Sequence, residues 1–299
     1  MNILRFLLIA CFSIAFAAPA HSQLLWSVTN PANPQQKSYL LGTHHVAPAD
    51  MLSRVDGLIE ALDEVDGVVG EIDIANAEPT SLQRAVMSYA MAPADSTLTV
   101  VFTKQQLDSI NEAFSRCGAE GVKVENMAFL KPGFINLQLT LLQTIEAIPD
   151  FDPSLQFDGR IQNIAAAAGK PVYALEKAEW QLELLFSRPI AEQAEEVMLT
   201  VANDSLLMQK SQSLANAYLD ENLDSISSLI FDPLAGVDLA RADELIYDRN
   251  RNWMPQLTDL MKDKSVLIAV GCGHLVGPDG LLSLLRKEGY ELTPVSLKK

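Results

Sequence analysis

Cysteine and histidine are the scarce residues of this chain, three and four in 299 positions. So few cysteines exclude a disulfide framework. Glycine and proline, 15 each, stand at ordinary levels, which excludes collagen-like and low-complexity classes. Basic residues are short as well: 22 against 38 acidic, for a formal charge of −16. A surface that acidic repels phosphate backbones, so nucleic acid is not an expected partner. The sequence has no Walker loop, no H-E-x-x-H and no G-x-S-x-G nucleophile elbow. What it does have is 48% hydrophobic side chains, too many for a disordered chain and enough for one large core.

The first 22 residues read as a targeting segment. Met1 to Arg5 is a short, positively charged start, Phe6 to Ala18 is apolar, and Ala18-Pro19-Ala20 supplies small residues for cleavage. Ala20-His21-Ser22 offers a second cut site. The apolar run is shorter than the roughly 20 residues that span a bilayer. No later stretch reaches that length, so the expectation is export to a periplasmic or secreted location with no stable membrane insertion after cleavage. Removal of this segment leaves Cys117 and Cys272, read as two free or buried thiols, and three histidines, His44, His45 and His274.

Residues 23–299 read as a single α/β domain. Leu24 to Val28 and Tyr39 to Leu41 are strand-like, separated by the turn-former Asn30-Pro31-Ala32-Asn33-Pro34. Val55, Leu58, Ile59, Leu62 and Val65 have the spacing of an amphipathic helix. Val68 to Ile72 is a buried strand. Residues 80–150 are mostly helical, broken at Lys131-Pro132-Gly133. A helix over Gly159 to Ala168 precedes a strand over Pro171 to Leu175, and helices resume over 176–231. A long helix containing Leu239 to Met254 is expected to end near Pro255. Val266 to Val270 is an apolar strand, followed by a glycine turn, a helix over Leu281 to Lys287 and a last strand from Glu291. Strands alternating with helices favour an α/β sheet, parallel or mixed.

All three remaining histidines fall in two copies of one short pattern. Gly42-Thr43-His44-His45 closes one strand and Gly271-Cys272-Gly273-His274 closes another, both G-x-x-H. Ligand sites in open α/β sheets gather at the carboxyl ends of strands, where a glycine lets the chain turn sharply. His44 and His45 should point to opposite faces, and His45, at the fourth position, is the functional candidate. Glu71 and Glu176 occupy comparable strand ends. Two histidines and a carboxylate can hold a divalent metal with a position left for water. The plain alternatives are a hydrogen-bonded structural histidine, a helix-capping Glu71 and a solvated face at Asp248-Arg249-Asn250-Arg251. The sharper reading of that last run turns one arginine inward, to hold a carboxylate or an oxyanion. Gly271 to Gly277 also imitates a dinucleotide loop, but its third glycine comes one residue late, so no cofactor-binding residues are assigned.

At these residues the chain resembles the TraB/GumN family, related to Tiki-type metallopeptidases and more remotely to erythromycin-esterase-like and haem-binding ChaN-like proteins. The resemblance rests on Tyr39-Leu40-Leu41-Gly42-Thr43-His44-His45-Val46, with His44 where isoleucine is usual, and on Val68-Val69-Gly70-Glu71-Ile72-Asp73. It continues through Lys131-Pro132, Phe157-Asp158, Gly169-Lys170-Pro171-Val172 with Leu175-Glu176, and Arg249-Asn250, and closes on Val270 to Gly280. After Asp158, Gly159-Arg160 departs from the histidine-leucine of many relatives.

The resemblance implies a mixed sheet flanked by helices. It also implies an active site of His45, Glu71, Arg249 and His274, with manganese or cobalt as the first metals and zinc as the alternative. The function expected is an exported metal-dependent hydrolase of peptidase type, acting on a peptide or protein. His45, His274 and Glu71 would hold the metal; Glu71, Arg249 and Glu176 are the catalytic candidates. Two other classes stand beside it: a non-catalytic haem-, metal- or peptide-binding protein, and a metal-independent esterase-like hydrolase.

Overall fold

The computed structural model describes residues 23–148, 150–231, 241 and 243–296. The expected targeting segment, residues 1–22, lies outside them, as do Leu239 and Ala240 at the start of the expected long helix.

Six strands form one mixed sheet: β1 (Leu25–Asn30), β2 (Asn33–Thr43), β3 (Gly67–Gly70), β4 (Val172–Ala174), β5 (Val266–Gly271) and β6 (Glu291–Pro294), in the order β4-β3-β5-β2-β1-β6. β1 pairs antiparallel with both β2 and β6. β2, β5, β3 and β4 are mutually parallel. In the parallel half the core residues are almost entirely apolar: Val68, Val69 and Val266 to Ile268 are fully buried. Both faces of these strands are covered, as parallel sheets require. All four parallel strands point their carboxyl ends to one edge, and β5 lies in the middle although it comes near the end of the chain.

The helices follow in chain order: α1 (Met51–Arg54), α2 (Leu58–Glu64), α3 (Pro79–Ala90), α4 (Leu98–Val101), α5 (Lys104–Arg116), α6 (Pro132–Ala147), α7 (Phe157–Ala167), α8 (Ala178–Phe186), α9 (Ile190–Ala202), α10 (Asp204–Leu219), α11 (Leu223–Ile230), α12 (Arg249–Asp263) and α13 (Leu281–Lys287). The main core surrounds the sheet. A second apolar cluster is built by α4, α5, α6 and α9 around Phe102, Phe114, Ile135 and Leu139. The architecture is a single α/β domain. Among the described residues no helix is long and apolar enough to cross a membrane.

Four sequence expectations change. The helix expected over Val55 to Val65 is confined to α2, Leu58–Glu64: α1 ends at Arg54, and Gly57 turns the chain at φ +76° before α2 begins. Val55, Leu58, Leu62 and Val65 are buried, but Ile59 is half exposed. The strand expected to run to Ile72 ends at Gly70, so Glu71 stands just beyond the last sheet residue. The helix expected to stop near Pro255 runs on to Asp263 with the proline inside it. Proline costs such a helix one hydrogen bond. Trp253, Met254, Leu257 and Met261 are all buried along the same face, and that burial carries the helix past the break. The break expected at Lys131-Pro132-Gly133 is a helix start, with Pro132 in the first turn, where its missing N–H costs nothing.

Candidate functional site

The carboxyl edge of the parallel strands collects most of the singled-out side chains. Glu71 follows β3, Glu176 follows β4 by two residues, and His274 lies in the short 3₁₀ turn Cys272–Leu275 after β5. The two G-x-x-H loops are neighbours because β2 and β5 pair, with Thr43 opposite Gly271. A Cβ on Gly42 would stand 3.1 Å from the Cys272 Cβ and 3.1 Å from a Leu275 methyl. The first glycine of one motif therefore lets the other motif pack against it.

Arg249 is the first residue of α12, entered through a π-helical turn at Asp243–Asp248. Its guanidinium ties the edge together. Nη2–H donates to Glu71 Oε2 and to Glu176 Oε1, both at 2.6 Å. Nε–H donates to Glu176 Oε1 at 3.1 Å. Nη1–H groups reach Leu245 O at 3.0 Å and His274 Nε2 at 3.1 Å. A guanidinium has five N–H donors, and every one is engaged inside the cluster. Trp253 lies under the guanidinium at 4.8 Å, and its Nε1–H donates to Glu176 Oε2 at 3.0 Å.

His274 is buried, and its tautomer follows from its neighbours. Asn250 Nδ2 donates to the backbone oxygens of His274 and Asp279. Its Oδ1 is therefore an acceptor, and His274 Nδ1–H donates to it at 2.7 Å. The Nε2 lone pair then faces Arg249 and lies 3.8 Å from Glu71 Oε1. Burial lowers the His274 pKa to about 4, so the ring is neutral at pH 7. Burial alone would raise the Glu71 carboxyl. The charge of His274 once it protonates in acid, the charges of Arg249 and His45, and the Gly271 N–H at 2.8 Å outweigh it and hold Glu71 well below the usual carboxylate range. Glu71 and Glu176 against one guanidinium leave this cluster one negative charge in excess.

His45 stands apart from that knot. Its ring is 73% exposed and its Nδ1 lies 3.1 Å from Asp158 Oδ2, while Thr43 donates to the other Asp158 oxygen at 2.5 Å. Asp158, at the start of α7, raises the His45 pKa by stabilising the imidazolium. His44 takes the other side of the chain, half-buried with its ring 5.2 Å from Tyr218. Burial lowers its pKa to about 4. Cys272 and Cys117 are free, buried and in different apolar clusters.

The structure thus joins Glu71, Glu176, Arg249 and His274 by direct contacts. His45 is coupled to Glu71 and His274 by charge, and its hydrogen bond goes to Asp158. Among the described residues no three His, Cys, Asp or Glu side chains are gathered as a metal cage. Two donors would suit a divalent ion that displaced the Arg249 Nη1–H: the His274 Nε2 lone pair, which accepts from Arg249 here, and the Glu71 oxygen beside it. Sequence reasoning missed three supporting residues. Gln181 donates to Glu71 at 3.1 Å and to Glu176 at 2.8 Å. Trp253 and Asn250 orient Glu176 and His274. Only Asn250, next to Arg249, carried a signal, as half of a motif pair.

A sequence model of the TraB/PrgY/gumN family matches residues 24–294, and the chain belongs to that family. The chain is also 37% identical over 59 residues to the protein "Metalloprotease TIKI2" of Xenopus tropicalis. That stretch is 19% of this chain and only 11% of the relative's length. No solved structure matches the chain.

Proposed function

We propose that this TraB/PrgY/gumN-family chain is an exported, metal-dependent hydrolase that cleaves peptide bonds. The observation that carries the reading is the convergence of Glu71, Glu176, Arg249 and His274 on one edge of the sheet from four separate parts of the chain. The short likeness to a metalloprotease supports the reaction class. The His274 tautomer, fixed by Asn250 with its Nε2 lone pair beside Glu71, supports a cation there. So does the uncompensated negative charge.

His45, His274 and Glu71 would hold the ion, manganese or cobalt first and zinc as the alternative. When bound, such an ion lowers the pKa of a water and polarises a carbonyl. The chain's own residues divide the remaining work. Arg249 has no donor left for an oxyanion, so its role here is to hold the two carboxylates in register. Glu71 lies within reach of His274 and takes the base role toward a water. Glu176, held by Arg249, Gln181 and Trp253, is the supporting acid. Asp158 keeps the Nδ1 proton of His45 in place.

Titration calorimetry with manganese and with zinc tests the metal. Binding should be lost or much weakened in His45→Ala and in His274→Ala, and the double variant should resemble either single one. His44→Ala should bind as the parent does. Equal affinities across the set would remove the metal site. A second reading has its own observation: the Arg249 guanidinium already sits 3.1 Å from His274 Nε2, as a built-in cation would. It makes the protein a metal-independent hydrolase, whose peptide cleavage EDTA leaves untouched.

Export is tested separately, by intact mass after expression. The expected product begins just after Ala20 or Ser22 and is found outside the cytoplasm. A cytoplasmic product that retains Met1 to Ala18 rejects it.

A further inference from the structure

A cavity opens directly off the cluster. It has a volume of about 310 Å³, and Glu176 and Arg249 form part of its lining together with Trp180, Glu183, Glu244 and Asp248. We infer that this cavity is a substrate subsite for a cationic side chain, arginine or lysine, of a bound peptide. The inference rests on the peptide-hydrolase reading above and names the class of substrate.

Three observations converge. The first is the floor. Arg249 would repel a cation and attract an anion if it were free, but all its donors are engaged by Glu71, Glu176, Leu245 and His274. An anionic group entering here finds no unused guanidinium N–H. On this floor the one cation, Arg249, is offset by Glu176 at 2.6 Å. The second is the wall. Glu183, Glu244 and Asp248 add three carboxylates. Asp248 is paired with Arg251 at 2.6 Å and Glu244 with Arg241 at 3.4 Å. Glu183 has no ion-pair partner among the described residues, which leaves at least one carboxylate to receive a ligand charge. The third is Trp180. Its side chain is 60% exposed, unusual for so large an apolar group, and it stands on the cavity wall. An indole face is the best aromatic partner for a guanidinium or an ammonium. The chain's charge of −16 adds long-range attraction of the same sign.

The volume is at the small end for a ligand pocket and suits one long side chain rather than a folded ligand. A peptide whose basic residue fills it lies with its neighbouring backbone against Glu71 and His274. Cationic residues would therefore be selected next to the bond presented to the site.

The test uses two blocked pentapeptides, acetyl-Ala-Ala-Arg-Ala-Ala-amide and its neutral citrulline analogue, titrated against the processed protein by calorimetry and tryptophan fluorescence. The arginine peptide should bind about tenfold more tightly, the scale of one aromatic-cation contact plus a partly exposed ion pair. The double variant Glu183→Gln/Glu244→Gln should narrow that preference to about threefold, the share left to the Trp180 contact. Trp180→Ala should weaken arginine-peptide binding and abolish the fluorescence change. These wall residues lie outside the hydrogen-bonded cluster, so the variants keep it intact. Equal affinity for the two peptides in the parent protein, or no binding of either, overturns the subsite. So does a preference that survives undiminished in the double variant. Cleavage of peptides with no basic preference overturns the subsite and leaves the hydrolase standing. Arginine-selective binding without cleavage of any peptide leaves the subsite standing and removes the hydrolase.

Discussion

Arg249→Met should lower folding stability by about 3–5 kcal/mol in urea denaturation, the usual scale for removing one partner of a buried ion pair. The reason is the arithmetic of the cluster. Glu176 is only 3% exposed and Glu71 12%, and one guanidinium at 2.6 Å from each is what offsets their charge. Methionine matches the arginine stem but leaves two facing carboxylates, which must then take up a proton or move apart. Arg249→Lys separates charge from shape. A lysine restores the positive charge but cannot bridge Glu71, Glu176, Leu245 and His274 together with a planar fork. It should recover much of the stability and little of the activity. A Met variant within about 1 kcal/mol of the parent would show that the cluster does not hold this edge together.

Glu71→Gln should act on function far more than on fold. The amide keeps the volume and can still accept from the Gly271 N–H, now at 2.8 Å. Arg249 remains balanced by Glu176, so no charge is left uncompensated. The amide nitrogen then faces the Arg249 and Gln181 donors, so stability should fall by about 1–3 kcal/mol, less than in Arg249→Met. Peptide cleavage should fall by about 10²–10⁴-fold, the range lost when a general base is removed. Thermal unfolding and a cleavage assay on the same preparation decide the matter. A large loss of stability with unchanged cleavage would make Glu71 a structural acid.

Much of the frame behind these expectations is legible in the sequence. Val266 to Val270 reads as a buried strand because both faces of β5 are covered, and an unbroken apolar run says so. The G-x-x-H pair reads as two strand ends for the same reason. The turn at Gly57 was not read, because Val55, Leu58 and Leu62 keep helical spacing across it. The passage of α12 through Pro255 was not read either, since local propensity argues for a stop and burial of Trp253 and Leu257 argues against it. The site divides along the same line. Glu71, Glu176 and His274 announce themselves as polar residues at the ends of apolar runs. Arg249 was one of two inward candidates in a charged run, and Gln181 carried no signal at all. What distinguishes them is a set of hydrogen bonds spanning 73 to 178 positions, which no local pattern encodes. The strand order hides in the same way: nothing in the apolar run of β5 says that it belongs between β2 and β3.

That insertion governs when the molecule can become itself. Val266 bonds to Ser38, 228 positions earlier, and Ser265 to Asp66, 199 positions earlier. As a chain emerges from the ribosome, β2 and β3 are present long before the strand that joins them. Until it arrives they cannot share a sheet, and Glu71 has neither the Gly271 amide nor Arg249. Contacts this distant in sequence form slowly, because a long loop must close before any of them is gained. Premature collapse into a finished domain is thereby ruled out by topology. The keystone of the sheet is thus placed where it can set only near the end of synthesis.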